Sequence, residues 1–241
     1  AMPDATRITA SATATAATLV CLAFAARPEY ASREVLFQLG APTTDLGPLV
    51  FSSDPTGIGA CYGLVGAESA LVCADYRRAG RAAVLDPRSG IDAFRGALSA
   101  LTPNVGELAR FTRVDPEGLD DVERLRAAAH ELLARLAPRW LLVTRGNLGM
   151  ALFGEGLPEG GVSVAASGDG EVTDVTGAGD TAASVFTLAL AARCEPEHAM
   201  VLANAASGVV VMENGAAVCP VHELASALVS APVAVRLARG A

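Results

Sequence analysis

The chain has 241 residues, enough for one sizeable domain or for a domain with a small appendage. Its 18 basic residues stand against 26 acidic ones, a net charge of −8 that argues against a surface built for nucleic acid or an anionic membrane and leaves small molecules as the expected partners. Aromatic residues are only 5% while Ala and Gly abound, which favours an α/β class, with helices packed closely on a sheet, over a ring-rich β-sandwich.

Residues 1–12 are small and polar and read as a frayed start. The apolar run at 16–26 fits either a helix or a buried strand with helix after it, and periodicity does not choose between them. The segment 14–26 is too short for a membrane span, and Asp4 with a single Arg7 makes a poor basic flank for a secretory leader, so a cytoplasmic protein is expected. Cysteines at 21, 61, 73, 194 and 219 are odd in number and form no C-x-x-C pair, which points to reduced, mostly buried thiols.

Residues 34–39 and 48–52 read as strands around a Pro/Thr/Asp/Gly turn. Asp54, in the S-D-P-T-G loop that follows, could line a ligand, although a strand-to-helix turn explains the same residues. A helix is expected over 68–79, with Arg77 and Arg78 in its last turn and Gly80 beyond, and a strand over 82–85 closed by Asp86-Pro87-Arg88. The next strand ends in Thr102-Pro103-Asn104, and a helix follows with Glu107 one turn in. This places Asn104 and Glu107 at the carboxyl edge of a parallel strand, where open α/β sheets bind ligands. The same spacing is also a plain capping box.

Residues 115–137 carry apolar side chains at helical spacing and read as an outer helix, with His130 on its flank rather than in a catalytic role. Residues 140–145, W-L-L-V-T-R, read as a buried parallel-type strand. They turn through Gly146 and Gly149 into a further strand at 150–153. A short strand at 162–166 and a glycine-rich turn at 167–171 come next, then helices at 181–192, 197–212 and 221–228.

The stretch that organises the rest is V-T-D-V-T-G-A-G-D-T-A-A, residues 172–183. A polar, β-branched segment runs into Gly177-Ala178-Gly179 and opens a long apolar helix near Asp180, so free backbone N–H groups and the positive end of a helix dipole converge on one point. With no side chain at Gly177 or Gly179, a phosphate can approach the main chain, and the Asp180 carboxylate beside it can take a proton from an attacking hydroxyl. The plainer alternative is a glycine-rich turn capping a helix, with Asp180 serving the dipole.

D-x-T-G-A-G-D ahead of an Ala-rich helix resembles the C-terminal signature of the ribokinase-like (PfkB) sugar kinase family. The order L-D-P, T-P-N-x-x-E, L-V-T-R-G-x-x-G, D-V-T-G-A-G-D, A-N-A-A is similar to that family's core from about residue 80 to 228, with a fainter match back to 49. Within it, L-L-V-T-R-G-N-L-G-M-A-L-F and A-N-A-A-S-G-V-V-V are most similar to the kinase domain of bifunctional heptose 7-phosphate kinase/ADP-heptose synthase proteins. The resemblance implies a three-layer α/β/α sandwich with a mostly parallel central sheet. It implies an anion hole at Gly177, Ala178 and Gly179 with Asp180 as general base, and Asn104 and Glu107 positioning Mg²⁺ through water. It further implies Thr144, Gly146 and Gly149 near ATP, Asn204 and Ser207 beside the adenine, and a monovalent cation such as K⁺ near Asp174. For Asn204 and Ser207, small residues that only permit tight helix packing are the alternative.

The N-terminal part departs from the pattern: the upstream G-G-x-x-N segment, the sugar-binding aspartates and the β-lid of the family are not evident. Residues 1–48 therefore read as a shortened, divergent part of the core, and 49–241 as the nucleotide-binding and catalytic core, with the lid absent or reduced. Asp45 and Asp54 are the carboxylates near strand ends that could stand in. Two functions follow. One is an ATP-dependent kinase of a sugar or sugar phosphate, possible as a homodimer through strands left exposed without a lid. The other is a kinase-derived nucleotide- or phosphosugar-binding protein or subunit without turnover.

Overall fold

The apolar run at 140–144 becomes a middle strand of the sheet because both of its faces can be buried. In the computed structural model, which describes residues 18–23, 35–40, 45–51, 58–63, 67–87, 90–168, 175, 177–213 and 218–237, ten strands and six α-helices follow one another. They are β1 (Thr18–Ala23), β2 (Val35–Gly40), β3 (Asp45–Phe51), β4 (Ile58–Gly63), α1 (Ala67–Arg78), β5 (Ala82–Asp86), β6 (Ala100–Leu101) and α2 (Val105–Thr112). Then come α3 (Val122–Leu136), β7 (Trp140–Thr144), β8 (Met150–Gly154), β9 (Val162–Val164), α4 (Ala178–Ala191), α5 (Pro196–Val210), α6 (Val221–Val229) and β10 (Val235–Arg236).

Eight strands form one sheet in the order β10-β9-β8-β7-β6-β5-β1-β4, and β2 pairs with β3 in a separate antiparallel sheet. Only β5, β6 and β7 are parallel neighbours. The flanks are antiparallel, so the mostly parallel sheet expected from the resemblance is a mixed one. On the β7–β8–β9 side the cause is connection length: a parallel neighbour needs a crossover of about a dozen residues or more. Residues 87–99 and the segment carrying α2 and α3 provide such crossovers, whereas the tight turn between Thr144 and Met150 forces reversal.

Alternating side chains then separate two cores. Leu85, Leu141 and Val143 face a layer containing Phe94, Leu108 and Leu132, built with α1, α2 and α3. Val84, Leu142 and Leu152 face Ala183, Phe186 and Ala203 of α4 and α5. Each fully buried large aliphatic contributes about 1.5–3 kcal/mol relative to exposure, so two-sided burial of the central strands holds the sheet edge rigidly. The result is the α/β/α sandwich expected.

Other differences are local. Within the apolar run at 16–26, residues Thr18–Ala23 form the strand β1, and the rest of the run lies outside the described residues. The helix expected over 115–137 is two pieces, a 3₁₀ turn at Pro116–Asp120 and then α3, because Asp121 adopts an extended backbone and its carboxylate accepts the Arg124 N–H at 2.9 Å as a fresh N-cap. β10 is a two-residue strand with no periodic signal to read. Among the described residues Cys73, Cys194 and Cys219 are free thiols, and no helix is long and apolar enough to cross a membrane.

Candidate active site

Strands β5, β6 and β7 end at one edge with Asp86, Leu101 and Thr144, and β9, which runs in the same direction through two antiparallel pairings, ends there at Val164. The chain beyond each strand therefore collects at the carboxyl edge of the sheet. Thr144 N–H donates to Pro103 O at 3.0 Å, and Asn104 forms a parallel bridge with Thr144. Two residues singled out from separate motifs are thus direct neighbours.

Asn104 caps α2. Its Oδ1 accepts the Glu107 N–H at 2.8 Å, and Glu107 Oε2 accepts the Asn104 N–H at 3.0 Å. The capping box is complete, with Asn104 exposed and Glu107 buried. Any ligand role for Glu107 therefore shares a carboxylate that already fixes the helix start. Asn104→Ala is expected to lower stability by about 0.5–2 kcal/mol through the lost cap, read as a shift of the urea midpoint at unchanged slope.

The turn after β7 is closed on itself: Arg145 N–H donates to Gly149 O at 2.8 Å and Gly149 N–H to Gly146 O at 3.0 Å. Gly146 opens onto space, whereas Gly149 lies against the backbone of residues 164–166. Packing against β9 therefore explains the second glycine without a ligand.

Helix α4 begins at Ala178, earlier than the start near Asp180 read from the sequence. Gly177 is its N-cap at φ 83°, with no side chain capping the helix. Thr181 N–H bonds back to Gly177 O at 2.9 Å, and Ala178 N–H turns to Val175 O at 3.3 Å. Gly179 sits in the first turn, where N–H groups have no intrahelical acceptor. Among the described residues a Cβ built on it would meet nothing within 4 Å, so their packing does not explain this helical glycine, which costs about 0.5–1 kcal/mol relative to Ala. Asp180, half-buried, completes the first turn, where its charge also suits the dipole.

Helix α5 ties this turn to the sheet edge. Asn204 Nδ2 donates to Ala165 O at 2.9 Å, just past β9, and Ser207 Oγ donates to Ala178 O at 3.1 Å. Asn204 and Ser207 are one helical turn apart, so adjacent turns of α5 bond the chain just past β9 and the start of α4. Both side chains expected beside an adenine thus bond backbone carbonyls. Asp54 and Asp174 lie outside the described residues, and Asp45 begins β3.

The family model for pfkB family carbohydrate kinases matches residues 68–223, well over half of the chain. The chain belongs to the pfkB carbohydrate kinase family. Among its relatives, the bifunctional protein HldE of Alcanivorax borkumensis is 40% identical over 153 residues, covering 63% of this chain and 30% of that protein. HldE of Halorhodospira halophila is 42% identical over 159 residues, covering 65% and 31%. The chain thus spans less than a third of the length of these relatives. In fold it is similar to Arabidopsis thaliana ribokinase complexed with ribose and ATP, with a TM-score of 0.58 at 25% identity over 67% of this chain and 51% of that one. It is also similar to Escherichia coli phosphofructokinase-2 in complex with potassium, at 0.58 and 18%, covering 69% and 53%.

For a pfkB chain, two further residues at this edge stand out that sequence reasoning passed over. Asp86, read only as the close of a strand, is buried and accepts from Thr102 Oγ1 at 3.3 Å. The signal for it was a carboxylate ending a strand whose other residues are all apolar. Arg145, read as part of a turn, has a buried Nε without a hydrogen-bond partner; burial lowers its pKa from the ordinary value, with the nearby Asp120 charge opposing. The chain has no lysine, so permanent side-chain cations here are arginines.

At the opposite edge, two open clefts of about 470 and 450 Å³ meet at His130 and Glu159. They lie away from all of these residues. His130 Nε2 is 2.9 Å from Glu159 O, the flank position expected for it. Arg139 grips Glu155 at 2.9 and 3.0 Å and holds its carboxyl below the usual range.

Proposed function

We propose that this pfkB chain transfers the γ-phosphoryl group of ATP to a hydroxyl of a sugar or sugar phosphate. The observation that carries the reading is the glycine-led start of α4, which no side chain caps and which α5 ties to the sheet edge that also presents Asn104 and Thr144. Asp180 takes the proton of the acceptor hydroxyl as its oxygen bonds to the γ-phosphorus and the bond to ADP breaks, while first-turn amides stabilise charge on the moving group. Mg²⁺ supplies charge neutralisation at the phosphates when bound. Asn104 and Glu107 would position it through water, which suits an ion that keeps most of its waters.

Among the described residues no three His, Cys, Asp or Glu side chains cluster, and a phosphate-borne Mg²⁺ needs only one or two carboxylates. Thr144, Gly146, Gly149, Asn204 and Ser207 border the nucleotide in this reading, and Asp174 a monovalent cation such as K⁺. The resemblance to bifunctional HldE proteins favours a heptose 7-phosphate-like acceptor and a cytoplasmic enzyme, with residues before 49 on the acceptor side. A second reading, a nucleotide- or phosphosugar-binding protein or subunit without turnover, draws support from the family match beginning only at residue 68.

The test is ADP release from Mg-ATP across a panel of hexose and heptose phosphates. Release with one of them supports the kinase. Tight nucleotide binding with no release for any of them overturns it in favour of the binding protein.

A further inference from the structure

We infer that Ser207 is a positioning residue for the phosphate-binding turn, acting through the Ala178–Gly179 peptide. The inference rests on the kinase reading of that turn. The Ser207 hydroxyl donates to Ala178 O at 3.1 Å from the neighbouring helix. The Ala178 carbonyl and the Gly179 N–H belong to one planar trans peptide and point in opposite directions. In the first turn of a helix the carbonyl points along the axis into α4 and the N–H points out in front of it, where no intrahelical acceptor stands.

A hydrogen bond that holds the carbonyl therefore aims the amide at the phosphoryl position. Because bonds in series polarise one another, it also makes that amide a stronger donor. This matters more here than in an ordinary helix, for Gly177 at φ 83° and Gly179 leave the turn with two of the least constrained residues in the chain.

The rest of the same α5 face acts on the other end of the connection. Asn204 holds Ala165 O at 2.9 Å, and Gly208 lies so close that a Cβ there would meet Ser167 O at 2.7 Å. Residues 204, 207 and 208 thus fix both ends of the segment leading from β9 into α4, with Ser207 at the end that meets the phosphate. Ser207 touches no reacting atom in this account.

The experiment measures ADP release from Mg-ATP, with the accepted sugar phosphate or with water alone, for wild type, Ser207→Ala, Ser207→Thr and Asp180→Asn. Alongside it, the Gly179 amide resonance is followed by NMR during a titration with inorganic phosphate. Ser207→Ala is expected to lower kcat about 5–30-fold with the KM for ATP within about threefold, and Ser207→Thr to recover kcat to within about threefold of wild type. The Gly179 resonance should shift in Ser207→Ala and respond less to phosphate.

Wild-type kcat in Ser207→Ala, or a Gly179 resonance that titrates as in wild type, overturns the inference. If Asp180→Asn loses turnover while Ser207→Ala does not, the kinase reading stands and this inference alone fails. If wild type releases no ADP with any acceptor, the kinase reading fails first; if Asp180→Asn turns over like wild type, only the general-base role of Asp180 falls.

Discussion

Asp180→Asn should cut turnover by about 10²–10⁴-fold while leaving the ATP dissociation constant within about threefold of wild type. The lost barrier stabilisation corresponds to about 2.7–5.5 kcal/mol. The carboxylate stands in the first turn of α4, beside amides that have no helical acceptor, so removing its basicity removes the proton acceptor but not the cradle. The plainer role, a charge serving the dipole, predicts something much smaller: a loss of about 0.3–1 kcal/mol of stability and no effect on catalysis. The two readings are separated by measuring kcat and the thermal midpoint on the same variant. A normal kcat with a slightly lowered midpoint leaves Asp180 a helix-start residue and nothing more. Binding isotherms with ATP complete the test, since a collapse of affinity in place of turnover moves the role of Asp180 from chemistry to recognition.

How much of this was legible in the sequence depends on the range of the interaction that decides each feature. The buried strand at 140–144, the capping box at Asn104 and Glu107 and the glycine start of α4 are set by residues within one or two turns of one another, and each was readable. The mixed sheet was not, because pairing direction follows from how β7 folds back into β8, and a fold-level expectation of parallel strands overrode that short turn. Asp121 restarting a helix after Pro116–Asp120 hides inside an apolar period that continues across the break. The roles of Asn204 and Ser207 were the least accessible. Their hydrogen-bond partners lie 39 and 29 residues away along the chain, on backbone carbonyls that carry no residue identity to recognise. Likewise Gly149 reads as a ligand-loop glycine in sequence, yet its neighbours in space are the main-chain atoms of residues 164–166.

That neighbourhood makes Gly149→Ala the substitution expected to damage the fold most. Gly149 has φ 79° and ψ −129°, a combination open essentially to glycine alone. A Cβ would stand 2.1 Å from Val164 O and 2.6 Å from both Ala165 C and Ala166 N. None of those atoms can rotate away as a side chain could. Backbone strain of about 1–3 kcal/mol and overpacking of about 1–3 kcal/mol act together, so a loss of about 2–6 kcal/mol is expected. For a chain of this size that is a fall of at least about 5 °C in Tm.

Gly146→Ala is the matched control. Its φ of 56° also lies in the left-handed region, but a Cβ there meets nothing within 4 Å, so only the conformational cost of about 1–2 kcal/mol applies. Relief in Gly149→Ala can come only by moving β9 away from β8, which breaks the pairing of Met150 with Val164 and drags Ala165 from the Asn204 amide. Damage at the β7–β8 turn should therefore spread to the start of α4 through α5. Hydrogen exchange would show it as lost protection in α5 and the first turn of α4 as well as in β9. Equal midpoints for the two alanine variants, or protection lost in the turn alone, would mean that the close approach of Gly149 to residues 164–166 does not hold these elements together.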